Sequence, residues 1–312
     1  MNAVKLKGRS LLSIEGWSKD EIRFVLEMAK ALKSEARKGV TNQRFAGKTL
    51  ALLFEKRSTR TRCAFETAFG EEGGHPVFLS TQDIQLGGKE SIEDTARVLG
   101  RMFSAIQFRG FKQSTVEALA QYSGVPVYNG LTDDCHPTQA LADIMTFEEN
   151  FGVDSGKKLV FVGDGRNNVA RSLAMISAKL GVEFVIVGPE ELKPDEVFVQ
   201  KCRTISRENG ASITCTSDLS GVCGAAALYT DVWVSMGEER EREARVKLLV
   251  PYQVNAALME RTGRKDCIFL HCLPAVKGEE VTYDVIDGPQ SRAWDEAENR
   301  KHTIKALLLA TL

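Results

Sequence analysis

The chain has 312 residues, of which 43% are hydrophobic and 27% charged, with 41 Lys and Arg against 42 Asp and Glu. This length suggests two domains and the composition that of a globular protein, not a disordered or collagen-like chain. The net charge of −1 disfavours a nucleic-acid or membrane-surface binder, no apolar run is long enough to span a bilayer, and the seven cysteines form no CxxC pair, as in cytoplasmic proteins.

The first half of the chain alternates predicted strands and helices. Short apolar runs bounded by Gly and polar residues are typical of buried parallel strands, and apolar residues spaced by three and four indicate helices. The pattern predicts a helix after the Ser18–Glu21 capping box, a strand over 48–54, a helix over 58–69, a strand over 77–79, a helix capped by Ser91, and strands over 105–108 and 125–128.

The second half repeats this rhythm after one long predicted helix over 136–150. It predicts a strand over 159–162, a helix over 168–180, strands over 184–187, 226–229 and 268–270, and a final helix over 296–312. Alternation of this kind indicates an α/β protein with two domains, each a mostly parallel sheet flanked by helices. We place the boundary between the domains near residues 134–156.

The corner between the strand over 48–54 and the next helix carries the strongest chemical signal. It reads Phe54-Glu-Lys-Arg-Ser-Thr-Arg-Thr-Arg62, and Ser58, Thr59 and Thr61 supply hydroxyl groups there. A helix N-terminus offers unpaired backbone N–H groups and partial positive charge, and the Arg60 guanidinium matches phosphate oxygens. The corner predicts an anion site, with a basic, capped surface helix as the alternative.

Three further polar groups follow predicted strands or open a helix. Arg109 comes just after a strand, where ligand crevices lie in open α/β sheets, although a solvated charge would look the same. His136 and Gln139 lie three residues apart at a helix start that contains Pro137, and they share one face. This pair indicates donors to a carbonyl or phosphate group, or else a helix cap with an exposed histidine.

The second half contains a glycine-rich loop that resembles a dinucleotide fingerprint but lacks two of its features. Gly163-Asp-Gly-Arg-Asn-Asn168 has Asn168 where the third glycine belongs, and the next predicted strand ends in Val187-Gly188-Pro189, without the acidic residue expected to bind a ribose. NAD binding is therefore disfavoured. A metal site is also disfavoured, because the four histidines are far apart in the sequence and have no HExxH spacing. We expect no cofactor.

These motifs together resemble the ornithine carbamoyltransferases over essentially the whole chain. The resemblance is carried by Ser58-Thr-Arg-Thr-Arg62, Phe108-Arg-Gly110, His136-Pro-Thr-Gln139, Asp231-Val-Trp-Val-Ser-Met-Gly237, His271-Cys-Leu-Pro274 and Glu298-Asn-Arg300. The first three are shared with aspartate carbamoyltransferases, and the Ser235–Gly237 and His271–Pro274 segments select ornithine. The resemblance implies transfer of the carbamoyl group of carbamoyl phosphate to the δ-amine of L-ornithine, giving citrulline and phosphate in arginine metabolism.

The resemblance also implies an organisation and a set of ligand contacts. The domains are expected over 1–135 with the C-terminal helix 296–312 for carbamoyl phosphate, and over 151–295 for ornithine, joined by a linking helix over 136–150, with the active site in the cleft between them. Expected carbamoyl phosphate contacts are Ser58, Thr59, Arg60, Thr61, Gln85, Arg109, His136, Gln139, Cys272, Leu273 and Arg300. Expected ornithine contacts are Asn168, Asp231, Ser235 and Met236. The family further implies a homotrimer in which Gln85 comes from a neighbouring subunit.

The chemistry assigns catalytic roles within this set. Arg109, His136 and Thr61 are expected to stabilise the oxyanion, and Asp231 or Cys272 to hold and deprotonate the amine. A carbamoyltransferase for putrescine or aspartate, and a non-catalytic phosphate-binding protein, remain as alternatives.

Overall fold

The computed structural model describes residues 5–81, 90–154, 156–234 and 239–312, which form two compact units. One unit comprises residues 1–145 and 298–312, and the other comprises residues 146–297. Each unit is built on its own parallel sheet, so the predicted α/β class with two sheet domains is confirmed. No helix among the described residues has both the length and the apolarity needed to cross a membrane.

The first unit contains a four-stranded parallel sheet in the order β2-β1-β3-β4. Its strands are β1 (Thr49–Phe54), β2 (His75–Ser80), β3 (Ala105–Arg109) and β4 (Val127–Leu131). Its helices are α1 (Lys19–Arg37), α2 (Thr59–Gly70), α3 (Ile92–Met102), α4 (Gln113–Ser123) and the start of α5 (Pro137–Phe151).

The second unit contains a five-stranded parallel sheet in the order β7-β6-β5-β8-β9. Its strands are β5 (Lys158–Val162), β6 (Glu183–Val187), β7 (Ile213–Thr216), β8 (Ala225–Thr230) and β9 (Ile268–His271). Its α-helices are α6 (Asn168–Leu180), α7 (Glu196–Glu208), α8 (Arg242–Leu249), α9 (Ala256–Arg261), α10 (Tyr283–Ile286) and the start of α11 (Ala293–Thr311), and short 3-10 turns cover Glu190–Leu192, Leu219–Val222, Glu239–Glu241 and Val250–Tyr252.

Strand alternation decides which side chains of the first unit enter its apolar core. Leu53 and Phe108 lie in a buried cluster with Leu99 of α3 and Leu119 of α4. Because successive strand residues point to opposite faces of a sheet, Gln107 and Arg109 project from the other face of β3. A charged group is thereby brought to the end of a strand without entering the apolar cluster.

Three of the predicted helix starts are confirmed by their caps. Ser18 and Glu21 form the full capping box of α1, with both reciprocal hydrogen bonds present. Ser58 accepts the Thr61 N–H at the start of α2, and Ser91 accepts the Asp94 N–H at the start of α3. Each cap satisfies a backbone donor that a helix leaves unpaired, which fixes the start at the cap.

Some predicted elements have other bounds in the structure, and some observed elements were not predicted. Strand β4 covers 127–131, not 125–128, because Pro126 has no N–H for the ladder and the Val125 N–H donates to the Ser123 hydroxyl. No prediction covered α4, whose N-cap Lys112 makes no side-chain cap bond, nor α7 and β7. The final helix begins at Ala293, earlier than the predicted 296.

Candidate active site

In each unit, several candidate residues follow the two neighbouring strands at the topological switch point of the sheet. At this point the chain stops adding strands on one side and begins to add them on the other. In the first sheet β1 is flanked by β2 and β3, and in the second β5 is flanked by β6 and β8, which is the position where open α/β sheets bind ligands. Ser58 follows β1 and Arg109 ends β3, whereas the loop at Gly163 follows β5 and Asp231 follows β8. Parallel strands place all of these corners at the carboxyl edges of their sheets.

The start of α2 has the geometry of an anion site. Ser58 is extended at φ −162° and its side-chain oxygen accepts the Thr61 N–H at 3.2 Å. The first turn contains no acidic residue, so nothing there neutralises the positive end of the helix dipole. Thr59 is exposed, Arg60 is half-buried and Thr61 is buried. This corner therefore presents hydroxyl groups and a guanidinium at a positive helix end.

Two buried guanidinium groups converge on Thr61. The Arg109 Nη1 and the Arg300 Nη2 each donate to the Thr61 hydroxyl oxygen at 3.2 Å. Arg300 also donates to the Gln139 amide oxygen through Nη1, and the Gln139 Nε2 donates to the Asp143 carboxylate at 2.8 Å. These hydrogen bonds join four of the predicted residues. His136 is a fifth, because it lies close to the charges of Arg300 and Arg109.

His136 is buried and surrounded by positive charge. Burial, followed by the charges of Arg300, Arg109 and Arg60, holds the pKa of His136 well below its usual 6.5. The imidazole is therefore neutral at pH 7. A neutral ring can donate one N–H to a carbonyl oxygen without adding a further charge to this basic cluster.

The low pKa of His136 predicts that the first unit loses stability on acidification. The unfolded chain binds this proton near pH 6.5 and the folded one only at lower pH, so the free energy of unfolding falls as pH drops below about 6.5, by at most about 1.4 kcal/mol per pH unit. Urea unfolding of His136→Gln between pH 7 and pH 5 should show a shallower pH slope than the wild type.

His302 serves as the reference for that comparison. Burial also lowers the pKa of His302, so the variant should retain the part of the acid sensitivity that His302 contributes. Equal slopes for wild type and variant would contradict a buried neutral His136.

The second unit holds a compact polar cluster at the ends of β8 and β9. The Asp231 Oδ1 accepts the Cys272 S–H at 3.1 Å and the Val232 N–H at 2.8 Å, and its Oδ2 accepts the Asn167 Nδ2–H at 2.8 Å. Three donors thus fix both oxygens of a carboxylate that is 9% exposed. Asn168, a predicted ornithine contact, follows Asn167 in the sequence and is the first residue of α6.

The turn after β9 has an unusual backbone that His271 supports. Leu273 has φ +58°, a left-handed conformation that bulky side chains rarely adopt, and the Leu273–Pro274 peptide is cis. The Leu273 N–H donates to the His271 Nδ1 at 2.8 Å, which places the ring hydrogen on Nε2, facing the Glu280 carboxylate at 3.3 Å. His271 therefore helps to fix the segment that carries Cys272.

The ligand atoms of Asp231, His271 and Cys272 all lie within 4.8 Å of one another. A cluster of N, O and S donors has the composition of a zinc or copper site. However, the His271 Nδ1 accepts a backbone hydrogen and its Nε2 faces Glu280, so the ring would have to give up one of these contacts to bind a metal.

Some of the predicted contacts cannot be placed. Gln85, Ser235 and Met236 lie outside the described residues. The other predicted residues fall into two sets. The first unit contains Ser58, Thr59, Arg60, Thr61, Arg109, His136, Gln139 and Arg300, and the second contains Asn168, Asp231, Cys272 and Leu273. Their individual ligand contacts stay predictions.

Three residues that support these groups were not predicted from the sequence. Asp143 orients Gln139, and Asn167 binds Asp231. Gly130 allows close packing at the end of β4, since an added Cβ would lie 2.4 Å from the Gln107 amide nitrogen and 3.0 Å from the Thr61 methyl carbon. Only the placement of Asn167 before a predicted helix start was visible as a signal, because asparagine is a favoured N-cap.

Comparison with known proteins identifies the relatives of the chain. Residues 9–149 match the model of the aspartate/ornithine carbamoyltransferase carbamoyl-P binding domain, and residues 155–311 match that of the Asp/Orn binding domain. The ornithine carbamoyltransferase of Caldanaerobacter subterraneus is 66% identical over 99% of both chains, and that of Thermotoga maritima is 63% identical over the same share. The solved structure of the Pyrococcus furiosus enzyme is 47% identical, with a TM-score of 0.95 over 99% of this chain and 98% of that one.

Proposed function

The chain belongs to the aspartate/ornithine carbamoyltransferase family, and from this premise we propose how its own side chains carry the reaction. The protein is a carbamoyltransferase that moves the carbamoyl group of carbamoyl phosphate to the δ-amine of L-ornithine, giving L-citrulline and phosphate. The observation that supports this most directly is the buried pair of guanidinium groups on Thr61, beside neutral His136 and the positive end of α2.

Carbamoyl phosphate is held, in this proposal, by the first unit. The start of α2, with Ser58, Thr59 and Arg60, binds the phosphate, because backbone N–H groups and a guanidinium complement its oxygens. Thr61, Arg109 and His136 face the carbonyl oxygen and stabilise the negative charge that develops on it during attack. Gln139 and Arg300 complete the set, and their mutual hydrogen bond keeps the Arg300 guanidinium in place.

The nucleophile must be an uncharged amine. A δ-ammonium group with a lysine-like pKa of about 10.4 requires about 4–5 kcal/mol for deprotonation at pH 7. In the hydrogen bond between Cys272 and Asp231, the thiol is the donor and the carboxylate is the acceptor. We therefore assign to Asp231 the binding of the ammonium group and acceptance of its proton, and to Cys272 the orientation of Asp231.

The remaining assignments follow from the family rather than from a measured contact. We propose that Asn168, Ser235 and Met236 bind ornithine, that Leu273 and Cys272 line the carbamoyl group, and that Gln85 comes from a neighbouring subunit of a homotrimer. The corresponding domains are 1–135 with 296–312, the linking helix 136–150, and 151–295. We propose a cytoplasmic location, because no disulfide joins any of the seven cysteines, all of which lie among the described residues.

A substrate panel tests the choice of amine. Ornithine, putrescine and aspartate are offered in turn with carbamoyl phosphate, and formation of the carbamoylated product is measured. Putrescine lacks the α-carboxylate and aspartate lacks the side-chain amine, so we expect kcat/KM for each to be lower than for ornithine by at least about 10²-fold.

The same panel decides between the alternative functions. Preference for putrescine or aspartate would reassign the second unit's cluster. Binding of carbamoyl phosphate without product from any of the three amines would favour a phosphate-binding protein.

A further inference from the structure

Asn167 has two contacts that together fix the direction of its side-chain amide. Its Oδ1 accepts the Val169 N–H at 2.7 Å and the Ala170 N–H at 3.4 Å, which caps α6. The Nδ2 must then point away from the helix, and it donates to the Asp231 Oδ2 at 2.8 Å. The amide cannot be turned around without placing two N–H donors opposite the donors of the helix.

Three separate segments meet on the Asp231 carboxylate. Asn167 comes from the loop after β5, Val232 from the segment after β8, and Cys272 from the end of β9. Within the described part of the chain, Asn167 donates to the Oδ2 oxygen, whereas the Oδ1 accepts the hydrogens of Val232 and Cys272. The orientation of the carboxylate plane therefore depends on Asn167.

We propose that Asn167 is a positioning residue for the carbamoyl transfer, acting by holding the Asp231 carboxylate in the orientation that receives the ornithine amine. This inference rests on the role proposed above for Asp231. The Asn167 side chain caps α6 through its Oδ1 and holds one oxygen of the Asp231 carboxylate through its Nδ2. One side chain therefore fixes both the start of α6 and the orientation of the group that binds the amine.

Helix capping alone does not explain an asparagine at this position. Aspartate caps a helix N-terminus as well as asparagine does, and it would also favour the helix dipole. Aspartate would, however, place a second carboxylate within hydrogen-bond distance of Asp231, where like charges repel. Asn167→Asp therefore keeps the cap but replaces the donation to Asp231 by repulsion between two carboxylates.

The test compares Asn167→Asp with Asn255→Asp. Asn255 caps α9 in the same unit, where its side chain accepts the Leu258 N–H at 3.0 Å, so the control makes the same atomic change at another asparagine cap. We expect Asn167→Asp to lower kcat/KM for ornithine by about 10²-fold, as misplacement of a reacting group does. The Kd for carbamoyl phosphate should stay near the wild-type value, a thermal melt should show that the variant is folded under the assay conditions, and Asn255→Asp should leave activity unchanged.

The pH profile provides a readout that a purely structural role would not move. Two adjacent carboxylates retain a proton between them to higher pH. The acid limb of kcat/KM for ornithine should therefore shift to higher pH in Asn167→Asp and stay in place in Asn255→Asp. Asn167→Ser keeps a capping oxygen without adding charge, and we expect it to lose about tenfold in kcat/KM with an unshifted acid limb.

A double-mutant cycle with Asp231→Asn separates this inference from the proposed function. If Asn167 acts through Asp231, the change to aspartate at position 167 should alter residual turnover by less than about threefold in the Asp231→Asn background. Residual turnover is measured with radiolabelled carbamoyl phosphate.

Two results would overturn the inference. Near-wild-type kcat/KM for ornithine in both Asn167 variants, with Asp231→Asn inactive, refutes the positioning role alone. Near-wild-type turnover of Asp231→Asn refutes the role of Asp231 and the inference with it.

Discussion

Arg60→Ala is expected to lower kcat/KM for carbamoyl phosphate by about 10²–10³-fold, the usual effect of removing one donor to a developing charge. Arg60 is half-buried at the start of α2, and its charge contributes to the lowered pKa of His136. Since the side chain does not enter the apolar core, the fold should survive its removal. Steady-state kinetics with varied carbamoyl phosphate, together with a thermal melt, provide the measurement.

Arg62→Ala is the matched control for Arg60→Ala. Arg62 lies two residues further along α2, pairs with Glu66 at 2.9 Å and stacks over Phe78 at 3.8 Å. Its side chain is exposed and its guanidinium is directed to Glu66 and Phe78, so its removal should change kcat/KM for carbamoyl phosphate only slightly. Similar losses for the two variants would contradict a specific phosphate role for Arg60 and indicate a general loss of positive charge.

Asp231→Asn is expected to lower kcat/KM for ornithine by about 10³-fold, within the 10²–10⁴ range typical of a lost proton acceptor. The variant is close to isosteric, but it removes the negative charge that attracts an ammonium group and accepts its proton. The Kd for carbamoyl phosphate, measured by calorimetry without ornithine, should change little because Asp231 is not among the residues assigned to that ligand.

Asp195→Asn is the control for Asp231→Asn in the same unit. Asp195 caps α7 and pairs with Arg171 at 2.9 Å, so the variant loses a surface charge of the same kind. We expect it to affect stability slightly and turnover not at all. An equal loss of ornithine turnover in the two variants would exclude a specific role for Asp231.

The order of the predicted strands and helices was largely readable because their signals are local. Ser18, Ser58 and Ser91 each cap the helix that follows, and a capping hydrogen bond spans only three residues. The ends of β4 were wrong because the N–H of Val125 donates to Ser123 and that of Pro126 does not exist. Helix α4 was missed because Lys112 provides no cap bond, so its start had no signal.

The candidate site was only partly readable, because its support is not local. Asp143 lies one turn beyond Gln139 in a helix, where the sequence alone gives no reason to prefer it over other polar residues. Asn167 was visible as a helix cap but not as a partner of Asp231, since the second contact depends on the packing of β5 against β8.

The amino-acid sequence encodes the chemistry of each strand-to-helix corner locally, because a corner and its cap are made by neighbouring residues. It also determined the family, through motifs that stand in a fixed order. Which of the candidate side chains lie in contact follows from the packing of distant segments. Arg300 reaches Thr61 across 239 residues and Cys272 reaches Asp231 across 41 residues. The second contact arises because parallel strands bring the ends of β8 and β9 to one edge of a sheet, and the first because the end of α11 belongs to the first unit. No local pattern encodes either neighbourhood.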